Sequence, residues 1–230
     1  MKRKVLSYCL WGSSRKYIDG LLLNLDLVTL LYPGWELWCY CDKVALDLLG
    51  SQITGATKSK VPIRLILMRE SGDWAGMFWR FLPLYDQSVQ IFLSRDADSR
   101  LSLRERVAVH DWEASGRAFH IMRDHPFHNA KILGGMWGCR VKETLKLGVR
   151  FPSVTELKGN HYQMDQEFLA TVTYPLVVNH SLTHDPVYEK KEFPTVRVGD
   201  EFVGESFDAN GNRDLRAVDA LNIWLVRNGR

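Results

Sequence analysis

The sequence predicts an α/β fold, with a Rossmann-like, mainly parallel central sheet flanked by helices, and three observations support this prediction. Short apolar runs of strand-like composition alternate with longer segments in which apolar residues recur at helical spacing. Polar clusters follow several of the apolar runs, and ligands of parallel sheets bind at such strand ends. The 230 residues, 46% of them hydrophobic, are enough for one domain with its own core, so we expect residues 1–230 to form a single domain.

The first half of the chain is predicted to contain four strands joined by helical segments. In the longest helical segment Ile18, Leu21, Leu25 and Val28 recur at helical spacing, and Pro33-Gly34 ends the helix. The predicted strands cover residues 4–10, 35–41, 63–68 and 89–93, and the predicted helices cover residues 18–32, 44–49 and 72–85, the last with a break before Pro83.

The second half is predicted to alternate in the same way and then to continue as short strands and loops beyond Pro175. Its first helix is closed by Gly116, because glycine readily adopts the left-handed conformation that ends helices. The predicted elements are a helix over residues 103–115, a strand over residues 119–122, an extended glycine-rich segment over residues 132–139 and a helix over residues 162–172.

Composition and charge exclude several classes of protein. The net charge is only +3 and the basic residues are scattered, whereas nucleic-acid-binding proteins concentrate basic residues on one face. The most apolar segment, residues 21–31, is interrupted by Asn24 and Asp26 and is too short to cross a bilayer. The four cysteines have no zinc-binding spacing. We therefore expect a cytoplasmic protein with no nucleic-acid partner and no transmembrane segment.

Asp96 and Asp98 are the foremost candidates for chemistry, because they closely follow the predicted strand over residues 89–93. Residues two apart in an extended segment project to the same side, so the two carboxylates can share one ligand. Carboxylate oxygens suit Mg²⁺ or Mn²⁺, and such an ion can bind a diphosphate and neutralise its charge. The alternative interpretation is a solvated surface turn.

The segment IFLSRDADSR, in which an apolar strand leads into a DxD motif, resembles the nucleotide-sugar-dependent glycosyltransferases of the GT-A type. The resemblance spans roughly residues 4–185, and the small bacterial and viral members are the most similar in spacing. Further segments resemble that family in the same order along the chain: SYCLWG, MFWRF, FHIMRDHP, ILGGMWG, MDQEFL and NHSLTHD.

The resemblance implies roles for the acidic residues and for one late histidine. Asp96 and Asp98 would bind Mn²⁺ or Mg²⁺, and His184 would complete the metal shell, with His180 as its rival. Asp165 is the implied catalytic carboxylate, which would act as the general base in an inverting enzyme or stabilise the sugar in a retaining one. Asp124 is the second candidate for the base.

The donor site is expected to use aromatic, basic and glycine residues. Arg80 lies among aromatic residues and needs an anionic partner, either a donor phosphate or an aspartate. Trp137 is a candidate for stacking against a sugar, with core packing as the alternative. Gly134 and Gly135 would let the backbone approach a sugar, and Tyr8, Trp11 and Asp42 are candidates for binding the nucleoside.

The implied substrates are a nucleotide-sugar donor, with UDP favoured over GDP, and a glycan or glycoprotein acceptor. Residues 1–100 would form the donor half and residues 101–230 the acceptor half and tail, while the oligomeric state stays open. Because a donor sugar must be shielded from water, residues 129–135 and 204–212 are predicted to close over the donor.

Three other functions remain open at the level of sequence. A nucleotidyltransferase would use the same pair of carboxylates, although its triphosphate usually needs a glycine-rich loop and the loop at residues 11–16 has one glycine. A phosphoryl-transfer or hydrolytic metal enzyme would need a motif or a carboxylate cluster that the sequence does not contain. A non-catalytic carbohydrate-binding module would use the eight tryptophans for stacking.

Overall fold

The computed structural model describes residues 2–56, 62–69, 72–153, 156–157 and 160–229. Seven strands of the described chain form one sheet, in the order β3-β2-β1-β4-β6-β5-β7. The strands are β1 (Arg3–Leu10), β2 (Glu36–Cys41), β3 (Ile63–Leu67), β4 (Val89–Ser94), β5 (Phe119–Met122), β6 (Trp137–Arg140) and β7 (Ser181–His184).

The sheet is mostly parallel, as predicted, and it contains one antiparallel strand. β1 pairs in parallel with both β2 and β4, while β6 runs antiparallel between β4 and β5. The chain builds outward from β1 to β3 on one side and then returns to place β4 on the other side of β1. The strand order therefore reverses between β1 and β4, and ligands of open α/β sheets bind at such a point.

Helices cover both faces of the sheet. On one face, apolar side chains of α1 such as Leu21 and Leu25 pack with Trp112 of α3 in one buried cluster. On the other face, Phe78 and Phe81 pack with Trp137 in a second cluster. The helices are α1 (Arg15–Leu31), α2 (Lys43–Ala56), a 3₁₀ helix (Trp74–Tyr85), α3 (Leu103–Ser115), α4 (Val141–Lys146), α5 (Met164–Phe168), α6 (Tyr174–Val177) and α7 (Leu215–Arg227).

The predicted strands are confirmed to within one residue at each end, and the helix α3 and its closure by Gly116 are confirmed, the glycine having φ 69°. Two other predictions are corrected. The segment over residues 132–139 is a strand only from Trp137, because the residues before it form turns. The helix predicted over residues 162–172 begins at Met164 and continues from α5 through a π-helical turn.

The carboxyl-terminal part is more regular than predicted, because α7 was missed. Asp214 caps this helix by accepting a hydrogen bond from the backbone N–H of Arg216, and Val218 and Leu221 are buried beneath it. No helix among the described residues is both long enough and apolar enough to span a membrane.

Candidate active site

A cavity of about 770 Å³ opens beside the carboxyl ends of β1 and β4, where the strand order reverses. Its wall includes the loop after β1, the 3₁₀ helix, the turn after β4 and the segment that joins β5 to β6. Of the predicted site residues, those that line it are Trp11, Arg80, Asp96, Asp98, Gly134 and Asp165.

Asp96 and Asp98 project from a turn directly after β4. The side chain of Asp96 is 41% exposed and that of Asp98 is 18% exposed, so both carboxylates remain open to a ligand. Burial and the negative charge of Asp96 raise the pKa of Asp98, and an ion pair of 2.6 Å with the Nζ of Lys16 offsets part of this effect. The turn is held by the backbone N–H of Phe207, which donates to the carbonyl of Asp98 at 2.9 Å.

Arg80 joins two of the acidic residues. Its guanidinium is 2% exposed and contacts the Oδ1 atom of Asp96, and its Nη2 donates to Oδ2 of the fully buried Asp165 at 2.6 Å. The buried charge is therefore compensated by the two carboxylates. The second oxygen of Asp165, Oδ1, has no hydrogen-bond partner within the described part of the chain.

Gly134 and Gly135 pass close to these carboxylates. A side chain on Gly134 would overlap Arg80 and Asp165, and a side chain on Gly135 would overlap Asp96. The hydroxyl of Ser94 fixes this segment by donating to the carbonyl of Gly134 at 2.6 Å. Glycine is required here because the backbone must approach the acidic residues closely.

The carboxylates of Asp96 and Asp98 fit a divalent cation. Asp96 and Asp98 supply hard oxygen ligands, whereas no group of three or more potential metal ligands occurs among the described residues. Mg²⁺ and similar ions are commonly held by one or two carboxylates plus the phosphates of a substrate. A site of this kind gains its remaining ligands from the substrate and from water.

Aromatic residues line the opposite part of the cavity. Trp11 follows β1 and makes edge-to-face contacts with Trp74 and Trp79, with ring centroids 6.4 and 6.3 Å apart. Tyr162 lies edge-to-face with Trp74 at 5.2 Å and is 63% exposed. Exposed aromatic rings of this kind can stack against a nucleobase or a sugar.

Two residues predicted for the nucleoside do not line the cavity. Tyr8 is fully buried in the core beneath α1, and burial raises the pKa of its hydroxyl. Asp42 accepts hydrogen bonds from the backbone N–H groups of Gly12 and Ala45, at 3.0 and 2.8 Å. Asp42 thus fixes the loop after β1 and the start of α2, and this gives it a structural role near the site.

Asp124 also lies outside the cavity wall, and its carboxylate is fully buried. It accepts hydrogen bonds from Arg104 at 2.8 and 2.9 Å, from Arg197 at 2.6 Å and from the backbone N–H of Val203 at 3.0 Å. These bonds connect α3 to the tail that follows β7. With its oxygens in these contacts, Asp124 anchors the tail in this structure.

His184 lies at the end of β7 and is 3% exposed. Its Nδ1 atom is 2.8 Å from Nε2 of His120, and its Nε2 atom is 3.3 Å from a carboxylate oxygen of Asp111. Burial lowers the pKa of His184. Because both nitrogens have protein partners and the residue is not part of the cavity wall, the metal site that we propose below consists of Asp96 and Asp98.

Trp137 is fully buried and is stacked on Phe119 at a centroid distance of 4.9 Å, so of the two alternatives for it the structure favours core packing. Three further residues belong to the site and were not predicted from the sequence: Lys16, Tyr162 and His128. Lys16 could have been predicted, since it lies at the start of α1, directly beyond the loop that follows β1. No local sequence pattern predicts Tyr162 or His128 as a site residue, because only the folding of distant segments brings them to the cavity.

No family model matches the sequence, and no curated protein matches it either. Solved structures do match, and they share the fold of this chain: a Rossmann-like, GT-A-type nucleotide-binding fold that occurs in nucleotide-sugar glycosyltransferases and in nucleotidyltransferases. The sequence identities are between 10% and 14%, so the similarity establishes the fold.

Three of these structures represent the two classes. The mannosyltransferase PcManGT from Pyrobaculum calidifontis, in complex with GDP-Man and Mn²⁺, has 14% identity and a TM-score of 0.55, covering 80% of this chain and 55% of that one. TarS from S. aureus, in complex with UDP-GlcNAc, has 13% identity and a TM-score of 0.52, covering 87% and 63%. A putative glucose-1-phosphate thymidylyltransferase from Bacillus anthracis has 10% identity and a TM-score of 0.54, covering 80% and 87%. This chain therefore spans less than two thirds of either glycosyltransferase.

Proposed function

We propose that this protein is a metal-dependent glycosyltransferase that transfers a sugar from a nucleoside-diphosphate sugar to a glycan acceptor. One observation carries the proposal. Asp96 and Asp98 open into the cavity at the reversal of strand order, and Arg80 links Asp96 to the buried Asp165 within the same cavity. Such a site combines a cation-binding pair of carboxylates with a third carboxylate for the reacting sugar.

The donor half of the site is built by the first half of the chain. Asp96 and Asp98 would hold Mn²⁺ or Mg²⁺, which when bound neutralises the charge of the leaving nucleoside diphosphate. Trp11 offers an aromatic face to the nucleoside, and Arg80 and Lys16 keep the two carboxylates in place. Mn²⁺ with GDP-Man in one structural neighbour, and UDP-GlcNAc in another, support a donor of this class.

Asp165 is the carboxylate that we assign to the reacting sugar. Its Oδ2 atom is held by Arg80, which fixes the orientation of the side chain, and its Oδ1 atom has no partner among the described residues. A fixed negative charge stabilises the positive character that develops at the anomeric carbon as the nucleotide leaves. Gly134 lies against the same carboxylate, and a side chain at this position would overlap it.

A nucleotidyltransferase is the second candidate. It is favoured by the thymidylyltransferase structure, 87% of which this chain covers. The loop after β1 argues against it, because this loop contains only Gly12, whereas a triphosphate is commonly cradled by a glycine-rich loop. Both functions use the paired carboxylates, so the products of the reaction must distinguish them.

The experiment offers both sets of substrates in the presence of Mn²⁺. One series contains UDP-glucose, UDP-GlcNAc or GDP-mannose, and the other contains UTP, GTP or dTTP with a sugar 1-phosphate. Slow release of free sugar and nucleoside diphosphate from one donor is expected, since bound nucleotide sugars undergo hydrolysis when no acceptor is present. Release of pyrophosphate in the second series would instead establish the nucleotidyltransferase.

Matched variants test whether the reaction depends on the proposed site. Asp98→Asn keeps the shape of the side chain but loses the charge, so the metal-dependent reaction should fall by a factor of about a hundred or more. Asp47→Asn is the control, because Asp47 lies on the exposed face of α2, outside the cavity wall, and pairs with Lys43. Equal activity of the two variants would contradict the assignment of the metal site.

A further inference from the structure

His128 is a cavity residue to which neither the sequence nor the site described above assigns a role. It lies on the segment between β5 and β6 that also carries Gly134, and it is 9% exposed. Its ring lies edge-to-face with Phe202 of the tail, at a centroid distance of 5.8 Å, and the ring of His125 lies 5.5 Å away. His128 is therefore a largely buried residue of the cavity wall.

The backbone fixes which nitrogen of His128 carries the proton. The N–H of Asp124 donates to Nδ1 of His128 at 3.1 Å, so Nδ1 is an acceptor and, in the neutral ring, the proton resides on Nε2. Within the described part of the chain the ring makes its hydrogen bond through Nδ1, so Nε2 is left for a ligand of the cavity that His128 lines. The structure therefore offers the cavity an N–H donor that has no partner among the described residues.

The ring stays neutral throughout the physiological range. The pKa of His128 is lowered to about 3, mainly by burial and to a smaller extent by the nearby His125 and Arg197. The carboxylate of Asp124 does not oppose this effect, because it is engaged by Arg104 and Arg197. A second proton would also displace the N–H of Asp124 from Nδ1 and leave that buried donor unpaired.

We propose that His128 is a specificity-determining residue that recognises the sugar of the donor, with its Nε2–H donating to a sugar hydroxyl. This inference rests on the proposed function. Phosphate groups are recognised best by charged donors, whereas a neutral N–H suits an uncharged hydroxyl oxygen. The position agrees, because the segment that carries His128 also places Gly134 against Asp165, beside which the transferred sugar must lie.

The experiment compares binding of the nucleotide sugar with binding of the bare nucleotide. Titration calorimetry with Mn²⁺ measures UDP against UDP-glucose and UDP-GlcNAc, and GDP against GDP-mannose, for the wild type and three variants. His128→Ala removes the donor, His128→Gln retains an N–H₂ group near the position of Nε2, and His110→Ala removes an exposed histidine on α3. Thermal unfolding of each variant shows that it is folded.

The expected result is selective. His128→Ala should weaken binding of the preferred nucleotide sugar about tenfold while changing binding of the bare nucleotide less than about twofold. His128→Gln should restore most of the loss, and His110→Ala should behave as the wild type. Equal weakening of nucleotide and nucleotide sugar would indicate a structural role and would overturn the inference, as would no weakening at all.

The same titrations separate this inference from the proposed function. If the wild type binds neither nucleotides nor nucleotide sugars with Mn²⁺, the glycosyltransferase proposal fails and the role of His128 fails with it. If the wild type binds them and only the His128 variants lack the selective effect, the inference alone fails. Imidazole ¹⁵N spectra give a further readout, since the Nε2–H tautomer should persist from about pH 8 to about pH 5; a charged ring in this range would contradict it.

Discussion

Arg80 forms ion pairs with two of the acidic residues of the site. It is 2% exposed and faces both Asp96 and the fully buried Asp165. Removing one partner of a buried ion pair leaves the other charge without compensation, which costs far more than the net value of the pair. The sequence could indicate only that an arginine among aromatic residues needs an anion, and the structure supplies two aspartates as that anion.

The first prediction concerns the stability that this arginine contributes. Arg80→Met should lower the free energy of unfolding by about 3–5 kcal/mol, because Asp165 would remain buried and unpaired. Urea denaturation measures the change. Arg3→Met is the control, since Arg3 is 41% exposed and pairs with Glu36 at the surface; it should cost less than about 1 kcal/mol. Similar losses for both variants would contradict the importance of the buried cluster.

Asp98 determines how the site responds to pH. Burial and the charge of Asp96 raise the pKa of Asp98. The folded chain therefore binds the carboxyl proton of Asp98 more tightly than the unfolded chain does. This proton therefore stabilises the fold fully below the unfolded pKa of about 3.9, and the contribution is lost as pH rises through the folded pKa. A cation requires the ionised form, so binding of the metal and stability change in opposite directions with pH.

The second prediction follows from this competition. Binding of Mn²⁺ with the nucleotide should weaken as pH falls, by up to about tenfold per unit below the pKa of Asp98, and the decline should begin at a higher pH than for an ordinary aspartate. Calorimetric titrations from about pH 8 down to about pH 4, near the pKa of an ordinary aspartate, measure it. A pH-independent affinity would show that Asp98 does not bind the ion.

At the scale of elements, the segment between β5 and β6 organises the site. Gly134 and Gly135 lie against the carboxylates, while His128 lines the cavity farther along. The predicted closing segments, residues 129–135 and 204–212, both contribute to the cavity wall, and their closure over a donor stays a prediction. The sequence indicated glycines in this segment, but their partners come from β4, the 3₁₀ helix and α5.

The third prediction uses the close approach at Gly135. Gly135→Ala should displace Asp96 and abolish metal-dependent nucleotide binding, because the added methyl group would overlap the carboxylate and its backbone nitrogen. Gly50→Ala is the control: Gly50 lies in α2 with open space around it, and alanine there should stabilise the helix by about 0.5–1 kcal/mol. Unchanged nucleotide binding by Gly135→Ala would show that this contact is not needed.

Local sequence patterns were sufficient to predict most strands and to single out the pair of carboxylates Asp96 and Asp98. The apolar runs that predicted β1, β4 and β5 are buried, so their hydrophobicity reports directly on position in the sheet. The helix α7 was missed even though Val218, Leu221 and Leu225 have helical spacing after the capping residue Asp214. That signal was present in the sequence.

The arrangement of the whole molecule could not be predicted from local patterns. The insertion of the antiparallel β6 between β4 and β5 depends on pairing between distant strands. This pairing places β5 and β7 away from β1, and for that reason Asp124 and His184 lie outside the cavity wall in spite of their positions at strand ends. Being at a strand end is therefore informative only for strands next to the reversal of strand order.

The fourth prediction concerns the stability of the whole molecule. Mn²⁺ alone should change the unfolding temperature little, because the described residues contain no group of three or more potential metal ligands and a pair of carboxylates binds an ion weakly. Mn²⁺ with UDP or GDP should stabilise the fold by about 2.7 kcal/mol at a hundredfold excess over Kd, which raises the Tm of a chain of this size by roughly 5–10 °C. Asp98→Ala should remove this increase, and Asp47→Ala should keep it. An equal rise with Mn²⁺ alone would indicate a metal site formed entirely by the protein, and it would contradict an ion shared between the two carboxylates and a diphosphate.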